Sequence, residues 1–322
     1  MDHYTYVFVG NSAGAMAAVR ELRAVDGRGS VLMLSEEPYA AYSRPLIAKH
    51  VSEGKGIDAM QLAPASYYPD EDIELRLSTR AVSIDYSKHT LALADGASLG
   101  WDRLLLATGS TPIVPSIPGT NLGGVFTFAT FDDAKAVAAR LPVTRHAVVI
   151  GGGFIGLSAA DALLKRGVSV TVVELQPRLL GGMLDTAASH VVEAAACKAG
   201  ACVLTGRRVV SIDADKTGSR SVTSVSLDDG TRLPCELVVL AVGVRARTEL
   251  AGKALPVVRG IVVDEYMRTA DPDVFACGDA SQGQDFVRGV STVTAIWPNA
   301  VAGGAVAGAN MAGVNRAYEG ST

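Results

Sequence analysis

The first forty residues alternate between apolar runs and polar turns in an order that predicts a strand, a tight turn, a helix and a second strand. Residues 6–9 are apolar or aromatic and lead directly into Gly10. The apolar positions that follow recur at helical spacing, at Ala15, Met16, Val19 and Leu22. Residues 31–34 are again continuously apolar, and Glu36 comes soon after them. This pattern is typical of a βαβ unit.

The same pattern returns in residues 146–177. An apolar run leads into Gly151, a helical stripe follows, and a second apolar run ends at Glu174. A repeat on this scale indicates two domains of one kind rather than a solenoid, whose repeats are roughly 20–50 residues long. The predicted fold class is therefore α/β, with two Rossmann-like dinucleotide-binding domains.

The second turn carries the complete glycine pattern that brings a backbone close to a pyrophosphate. Gly151, Gly153 and Gly156 form G-x-G-x-x-G, with Phe154 and Ile155 between the last two glycines. The first glycine permits the sharp turn, the second the close approach, and the third the packing of helix on strand. The helix that starts here would direct its N-terminus at the phosphates.

The first turn is a degraded copy of the same pattern. Its residues Gly10, Ser12, Ala13 and Gly14 are expected to bind a cofactor, although Ser12 and Ala15 occupy the positions of the second and third glycines. Glycine-rich turns can also be purely structural. Each turn here nevertheless follows a strand, opens a helix and reaches an acid at a suitable distance, and this context favours nucleotide binding.

The two acids are candidate ribose ligands. Glu174 directly follows an apolar run, where its carboxylate can accept hydrogen bonds from an adenosine ribose. A 2′-phosphate at that place would meet like charge, so NAD(H) is expected rather than NADP(H). Arg178, four residues later, keeps the phosphorylated form open. Glu36 holds the equivalent position after the first turn.

Two further apolar runs end in small residues. Residues 104–106 lead into Ala107, Thr108 and Gly109, and a proline-rich exit suggests a crossover between domains. The run at residues 237–240 leads in the same way to Gly243. Strand ends often need small residues for packing alone, but their pairing with the two turns favours a role at the cofactors.

Composition narrows the class of protein. The chain has 322 residues, 48% of them apolar and 19% charged, which is enough for two or three domains. Its net charge of −4 provides no basic surface, so no nucleic-acid partner is expected. The N-terminus leaves no room for a signal peptide. The four cysteines show no C-x-x-C pair and no metal-ligand spacing, which predicts a reducing cytoplasm and no metal site.

One uncharged segment needs a separate interpretation. Residues 291–315 carry no charge and contain Gly304 and Gly308, a G-x-x-x-G pair. Length alone would admit a membrane span. Because Pro298 and Asn299 interrupt the segment and most other positions are alanine or glycine, we expect a closely packed internal helix and no membrane.

Two motifs identify a family resemblance. VFACGDAS at residues 274–281 is similar to the second flavin motif of the two-dinucleotide flavoprotein family of pyridine-nucleotide oxidoreductases. IWPNAVAGGAVAGANMAG at residues 296–313 is similar to the helix that faces the flavin in that family. The chain most resembles the branch with ferredoxin and rubredoxin reductases and the flavin part of nitrite reductase.

The resemblance implies FAD at the first turn and NAD(H) at the second. The FAD-binding domain would comprise residues 1–117 and 246–322, and the NAD(H)-binding domain, residues 118–245, would be inserted into it. Gly278 and Asp279 would contact the FAD ribityl chain, and Trp297 the flavin pyrimidine ring. Val82 is also expected at the FAD site. Relatives continue with an interface domain that shields the flavin and builds a dimer, and this domain is expected to be absent here.

The stretch YSRPLIAKH at residues 42–50 distinguishes branches of the family. Thiol- and oxygen-reducing branches have a redox cysteine at the position of Pro45, and a proline cannot form a sulfenic acid or a mixed disulfide. The resemblance places Lys49 near flavin N5, and Arg44 near the cofactor phosphates or the ring edge. The alternative is that both are ordinary surface residues.

A departure from the family affects the nicotinamide. The family often has a glutamate after G-G-G-[FY]-I-G-L, and Ser158 stands there instead, with Asp161 one turn further along. Phe154 would move aside when the nicotinamide binds. Phe154 and Lys49 are the expected catalytic residues.

The function that follows is an FAD-containing oxidoreductase that passes electrons between NADH and an iron–sulfur protein or partner subunit. One alternative is a thiol, persulfide or oxygen reductase of the same fold. Another is a flavoprotein that senses NADH without turning it over. The assembly, either an oligomer or a subunit of a complex, is left open.

Overall fold

The structure, a computed structural model, describes residues 1–215, 220–285, 287 and 289–320. The chain forms two compact units. The first unit comprises Met1–Ser43, Gln61–Thr111 and Arg245–Thr322, and the second comprises Arg44–Met60 and Pro112–Val244. The assignment of FAD and NAD(H) to residue ranges stays a prediction.

The strands are, in chain order, β1 (Asp2–Val9), β2 (Val31–Leu34), β3 (Ile73–Arg76), β4 (Ala81–Asp85), β5 (Thr90–Leu93), β6 (Ser98–Leu106), β7 (Ser110–Pro112), β8 (Val125–Phe126), β9 (His146–Ile150), β10 (Ser169–Glu174), β11 (Cys202–Thr205), β12 (Val209–Ala214), β13 (Val222–Leu227), β14 (Arg232–Pro234), β15 (Leu237–Leu240), β16 (Val244–Ala246), β17 (Ile261–Val262), β18 (Val274–Ala276), β19 (Ser281–Asp285) and β20 (Val290–Thr292).

The α-helices are α1 (Ala13–Val25), α2 (Ile47–Glu53), α3 (Tyr67–Asp70), α4 (Phe131–Arg140), α5 (Phe154–Leu164), α6 (Thr186–Lys198) and α7 (Trp297–Met311). Short 3₁₀ turns precede α2, at Arg44–Leu46, and follow β18, at Gly278–Ala280. The mixed α/β class predicted from the sequence is confirmed.

The first unit is built on a sheet in the order β3-β2-β1-β6-β5-β4, with β18 beside β6. The strands β3, β2, β1, β6 and β18 run parallel, whereas β5 pairs antiparallel with β6 and β4 pairs antiparallel with β5. All four residues of β2 are buried, as expected for a strand in the parallel part of a sheet. The crossover from β1 through α1 to β2 is the βαβ unit that the first apolar pattern predicted.

Helix α7 packs directly against α1 in the same unit. A Cβ atom at Gly304 would collide with the carbonyl of Gly14, and a Cβ at Gly308 with the carbonyl of Ala18. The G-x-x-x-G pair therefore permits contact between two helix backbones. The closely packed internal helix predicted for this uncharged segment is confirmed.

The second unit contains a parallel sheet in the order β11-β10-β9-β15-β8. All four residues of β15 are buried, and so are four of the five residues of β9. A smaller antiparallel sheet, β12-β13-β14, belongs to the same unit. The crossover from β9 through α5 to β10 repeats the βαβ unit of the first unit.

Within the residues that the structure describes, no helix combines the length and the apolarity needed to cross a bilayer. Over the same residues, no group of three or more His, Cys, Asp or Glu side chains is arranged to hold a metal ion.

Candidate functional site

The first glycine-rich turn joins β1 to α1 at the carboxyl end of the parallel strands, where ligands of open α/β sheets bind. Gly10 has a φ of +124°, and a Cβ at this residue would collide with the carbonyl of Ala107 at the end of β6. Ser12 is the N-cap residue of α1, but its side chain makes no capping hydrogen bond. The first N–H groups of α1 are therefore available to an anion.

Asn11, in the same turn, has a buried polar atom that lacks a partner. Its Nδ2 is inaccessible to solvent and makes no hydrogen bond within the described residues. Its Oδ1 accepts a hydrogen bond from the buried Tyr68 hydroxyl at 3.1 Å, and that hydroxyl in turn accepts one from the Ala41 N–H, also at 3.1 Å. The amide is thus held in place with a donor to spare. The glycine pattern gave no reason to select Asn11.

Glu36 lies just beyond β2, and two arginines are near its carboxylate. Arg247 Nη1 donates to Glu36 Oε2 at 2.8 Å, and Arg80 Nε lies 3.9 Å from Oε1. The backbone of Arg247 also holds the segment between β6 and β7, because its N–H donates to the Gly109 carbonyl and its carbonyl accepts a hydrogen bond from Thr108 Oγ1. Arg247 was not predicted as a site residue.

Val82 is expected at the FAD site although it belongs to neither the glycine-rich turns nor the two flavin motifs. It lies on β4 with 47% of its surface exposed, a large value for a valine. Gly109 has a φ of +71° and lies immediately before β7. The contact of these residues with a cofactor stays a prediction.

The second flavin motif folds back onto the first turn. A Cβ at Gly14 would lie 3.0 Å from Cys277 Sγ and 3.2 Å from the Ala300 carbonyl. Gly278 has a φ of +66° and opens the 3₁₀ turn that carries Asp279. Asp279 Oδ2 accepts a hydrogen bond from Ser110 Oγ at 2.7 Å. The structure therefore brings the first turn, the Gly-Asp motif and the start of α7 together within one unit.

Like the first turn, the start of α7 has hydrogen-bond donors that lack partners among the described residues. Trp297 is the first residue of α7, Pro298 follows it, and the helix has no side-chain cap. Asn299 Nδ2 is buried and, among the described residues, has no partner. Trp101 Nε1, inside the sheet core, shares that property, so an unpaired donor alone does not define a site. Two such donors at two uncapped helix starts fit the phosphates and carbonyls of FAD.

The second glycine-rich turn, in the other unit, joins β9 to α5. A Cβ at Gly151 would collide with the Ala241 carbonyl, and a Cβ at Gly156 with the Gly151 carbonyl. Gly153 faces open space within 4 Å and is the N-cap residue of α5. The first and last glycines are therefore required by packing, and the middle one leaves room for a pyrophosphate.

Glu174 closes this turn from the end of β10. Its Oε2 accepts a hydrogen bond from the Gly152 N–H at 2.5 Å, and its Oε1 one from the Gln176 N–H at 2.7 Å. The Arg178 guanidinium donates to the carbonyls of Gly181 and Leu184 at 3.1 and 3.3 Å. Because the Arg178 guanidinium is bound within its own loop, it is not free for a 2′-phosphate, and the Glu174 carboxylate is the oriented group at this turn.

Three apolar or small residues border the second turn. Phe154 is 58% exposed and Ile155 37% exposed at the start of α5, which leaves an apolar surface next to the glycines. Gly243 has a φ of +117° and follows the end of β15, with Ile113 Cδ1 3.7 Å from the position of a Cβ. These residues fit the binding of an NAD(H) molecule at the turn.

In the YSRPLIAKH stretch, Arg44 is held by a hydrogen bond, whereas Pro45 and Lys49 are exposed. Arg44 Nη1 donates to the Ala129 carbonyl at 3.0 Å, and Pro45 is exposed in the 3₁₀ turn. Lys49 is exposed on α2, and its ammonium group has no ion pair or hydrogen bond with any described residue. Asp161, one turn beyond Ser158, forms an exposed ion pair with Lys165 at 2.7 Å. The role of Lys49 at the flavin stays a prediction.

Two of the four cysteines are unsuited to thiol chemistry because they are buried. Cys235 and Cys277 are each 1% exposed. Burial, assisted by neighbouring carboxylates, raises the pKa of both thiols to about 12, so neither forms a thiolate near neutral pH. Cys197 and Cys202 are exposed in the second unit, at the end of α6 and the start of β11.

Comparison with known proteins agrees with this geometry. Residues 4–304 match the family described as pyridine nucleotide-disulphide oxidoreductase. The chain is 32% identical to the NADH-dependent phenylglyoxylate dehydrogenase subunit epsilon of Aromatoleum evansii over 306 residues, which cover 94% of this chain and 71% of the relative. It is 34% identical to the nitrite reductase [NAD(P)H] large subunit of Klebsiella oxytoca over 81% of this chain, but over only 27% of that relative.

Among solved structures, the ferredoxin reductase for the CYP199A2 system from Rhodopseudomonas palustris has a TM-score of 0.92 and 30% sequence identity. The similarity covers 98% of this chain and 78% of that chain. The family match spans both glycine-rich turns and the Gly-Asp motif. The chain therefore belongs to the FAD-dependent pyridine nucleotide oxidoreductases and is an oxidoreductase that uses FAD and NAD(H).

Proposed function

We propose that the protein takes electrons from NADH and passes them through FAD to an iron–sulfur protein or partner subunit. The observation that carries this proposal is Pro45, which stands where the thiol-reducing members of the family have their redox cysteine. Because proline stands at that position, this chain lacks the redox cysteine of those members, and an external acceptor would remove the electrons from FAD.

The environments of the two buried cysteines support the same choice. A working thiol needs a depressed pKa and access to its substrate. Cys277 lies beside Gly14 in the first turn, where the FAD is proposed to bind. Its thiol is buried, and burial raises its pKa to about 12. Cys235 lies in the core of the second unit, with its pKa raised to about 12 as well. Neither buried thiol meets the requirement.

Bound FAD supplies the ability to accept a hydride from NADH and to release electrons one at a time. The chain supplies binding and electrostatics. The uncapped start of α1 and the Asn11 amide would hold anionic phosphate oxygens. The uncapped start of α7, with the Asn299 amide beside it, would favour negative charge on the flavin end of the cofactor. In the other unit, Glu174 would hold the NAD(H) ribose and the start of α5 its pyrophosphate.

The relatives favour an external acceptor. One carries the name ferredoxin reductase, and another is named as a subunit of an NADH-dependent dehydrogenase. Ferredoxins are iron–sulfur proteins, so an acceptor of that class agrees with the first name. The second name is compatible with a partner subunit that carries the acceptor.

An acceptor assay tests the proposal. FAD-loaded protein, mixed anaerobically with NADH, should reduce a plant-type [2Fe–2S] ferredoxin or a rubredoxin, followed by their visible absorbance. A variant in which all four cysteines are replaced by serine or alanine should retain most of this rate, apart from packing losses at Cys235 and Cys277. Fast NADH-dependent reduction of a disulfide or persulfide with slow ferredoxin reduction, or the collapse of turnover in the cysteine-free variant while FAD stays bound, would contradict it.

A further inference from the structure

Helix α2, which carries Lys49, is anchored on the helices of the second unit. Its residues Ile47 and Val51 are 2% and 0% exposed, and their spacing of four places them on one face. The helix packs against α4 and α5. In sequence, this segment interrupts the chain of the first unit, and the resemblance to the family associated it with the flavin. Its packing contacts nevertheless group it with the unit that contains the second glycine-rich turn.

Two hydrogen bonds near its ends and one ring contact in its middle hold this segment in place. Just before α2, Arg44 Nη1 donates to the Ala129 carbonyl, next to the start of α4. In the middle of α2, the His50 ring packs edge-on against Phe131 of α4, with ring centres 4.8 Å apart. At the carboxyl end, Arg166 Nη1 donates to the Val51 carbonyl at 2.9 Å.

The Arg166 contact has a particular physical role. The last carbonyls of a helix have no partner inside the helix, and a cation near them is favourable to the helix dipole. The His50 carbonyl is satisfied by the Gly54 N–H, and the Val51 carbonyl is satisfied by Arg166. Arg166 follows the C-cap residue of α5, the helix that begins at Phe154 in the nucleotide turn. One rigid helix therefore connects this turn with the anchor of α2.

We propose that Arg166 is a positioning residue that fixes α2, and with it Lys49, with respect to the second glycine-rich turn. The inference rests on the proposed function, because it assumes that Lys49 assists the transfer of hydride from NADH. Lys49 has no partner among the described residues that could hold its ammonium group in place. Its position is therefore determined by the helix backbone, which makes the anchoring of α2 important for a reaction that depends on geometry.

Hydrogen exchange measures the anchoring directly. In FAD-loaded Arg166→Ala, the amides of residues 47–53 should exchange about three- to tenfold faster than in the wild type, the effect of losing one partly buried hydrogen bond of ordinary net strength. Arg166→Lys should restore part of the protection. Arg232→Ala is the matched control, since Arg232 also donates to a neighbour in the second unit, Ser224 Oγ at 2.7 Å, but lies in the β12-β13-β14 sheet. Unchanged exchange of residues 47–53 in Arg166→Ala would overturn the proposal.

A double-mutant cycle tests whether Arg166 acts through Lys49. Stopped-flow reduction by NADH should show a limiting rate about three- to tenfold lower in Arg166→Ala, with the Kd for NADH unchanged. Lys49→Met should also lower the limiting rate, and Arg166→Ala should cause no further loss in the Lys49→Met background. Additive losses, or a wild-type rate in Lys49→Met, would overturn the proposal. If NADH does not reduce the wild-type flavin at all, the proposed function fails, while the exchange experiment still decides the anchoring.

Discussion

The two glycine-rich turns share one plan but satisfy their polar groups in different ways. In the second turn, both oxygens of Glu174 accept hydrogen bonds from backbone N–H groups, one from Gly152 in the turn and one from Gln176, two residues after the end of β10. In the first turn, Glu36 is paired with the Arg247 side chain, and the Asn11 amide donor is buried without a partner among the described residues. The Glu174 carboxylate in the second turn therefore has hydrogen-bond partners within the protein, whereas the first turn keeps a buried donor that has none among the described residues.

This difference has an energetic consequence. A buried donor without a partner destabilises the protein by about 1–3 kcal/mol, and a ligand that supplies an acceptor removes that cost. The first turn therefore gains more from being occupied than the second, whose acid is already oriented. We infer that the first turn suits a resident cofactor, FAD, whereas the second suits a dinucleotide that binds and leaves in each cycle.

The largest expected effect is on FAD affinity and comes from a substitution in the first turn. Asn11→Asp keeps an oxygen for the Tyr68 hydroxyl but replaces the spare donor with a charged acceptor. Because FAD carries two phosphates, its Kd should rise on the order of 100-fold, from the lost hydrogen bond to a charged group together with like-charge repulsion. Titration of the apoprotein with FAD, followed by the quenching of FAD fluorescence, measures the change.

Two companion variants separate binding from folding. Tyr68→Phe removes only the hydroxyl that orients Asn11, so its effect on FAD affinity should be smaller. Asn11→Leu removes the unpaired donor but also the acceptor of the buried Tyr68 hydroxyl. These two changes have opposite effects on stability, so the melting temperature of the apoprotein should change little while FAD binding weakens. An FAD affinity equal to that of the wild type in both Asn11 variants would show that the spare donor does not face the cofactor.

The second prediction concerns nucleotide choice at the second turn. Glu174→Ala removes the acceptors for the ribose hydroxyls, a loss of about 1–3 kcal/mol, so the Kd for NADH should rise about tenfold or more. NADPH binding should change little or improve, because like charge is removed. Isothermal titration with both nucleotides tests this.

Arg178→Ala is the control for that experiment. Its guanidinium is bound within its own loop, so the variant should not weaken NADPH binding selectively. Wild-type protein that prefers NADPH would refute the role assigned to Glu174.

The smallest expected effect concerns the ion pair of the first turn. Arg247→Ala removes a cation that orients Glu36, and it should weaken FAD binding about two- to fivefold, as expected for a partly exposed pair. Arg316→Ala is a matched control, because Arg316 pairs with Glu21 at 2.9 Å with similar exposure. It should leave FAD binding unchanged. Equal effects of both variants on FAD affinity would remove Arg247 from the site.

Much of the fold could be predicted from the sequence because its signals are local. The change from short apolar runs to helical stripes predicted both βαβ units, and the glycine pattern predicted both turns, since backbone conformation and close approach depend on adjacent residues. The GxxxG pair predicted a closely packed helix, and Gly304 and Gly308 do contact the backbone of α1. Two motifs in order were enough to identify the family.

Other features depend on contacts between residues distant in sequence, which no local pattern contains. The spare donor of Asn11 is recognisable only because Tyr68 occupies its oxygen. Arg247 reaches Glu36 across 211 positions of the chain. The sequence leaves Arg178 open as a phosphate ligand, whereas in the structure the carbonyls of its own loop bind its guanidinium. By itself, the sequence determined the class of fold, the two nucleotide turns and the absence of a cysteine at Pro45. The tertiary structure decided which donors remain unpaired and which helices anchor Lys49, because burial and hydrogen bonding are properties of packed neighbours and not of the order of residues.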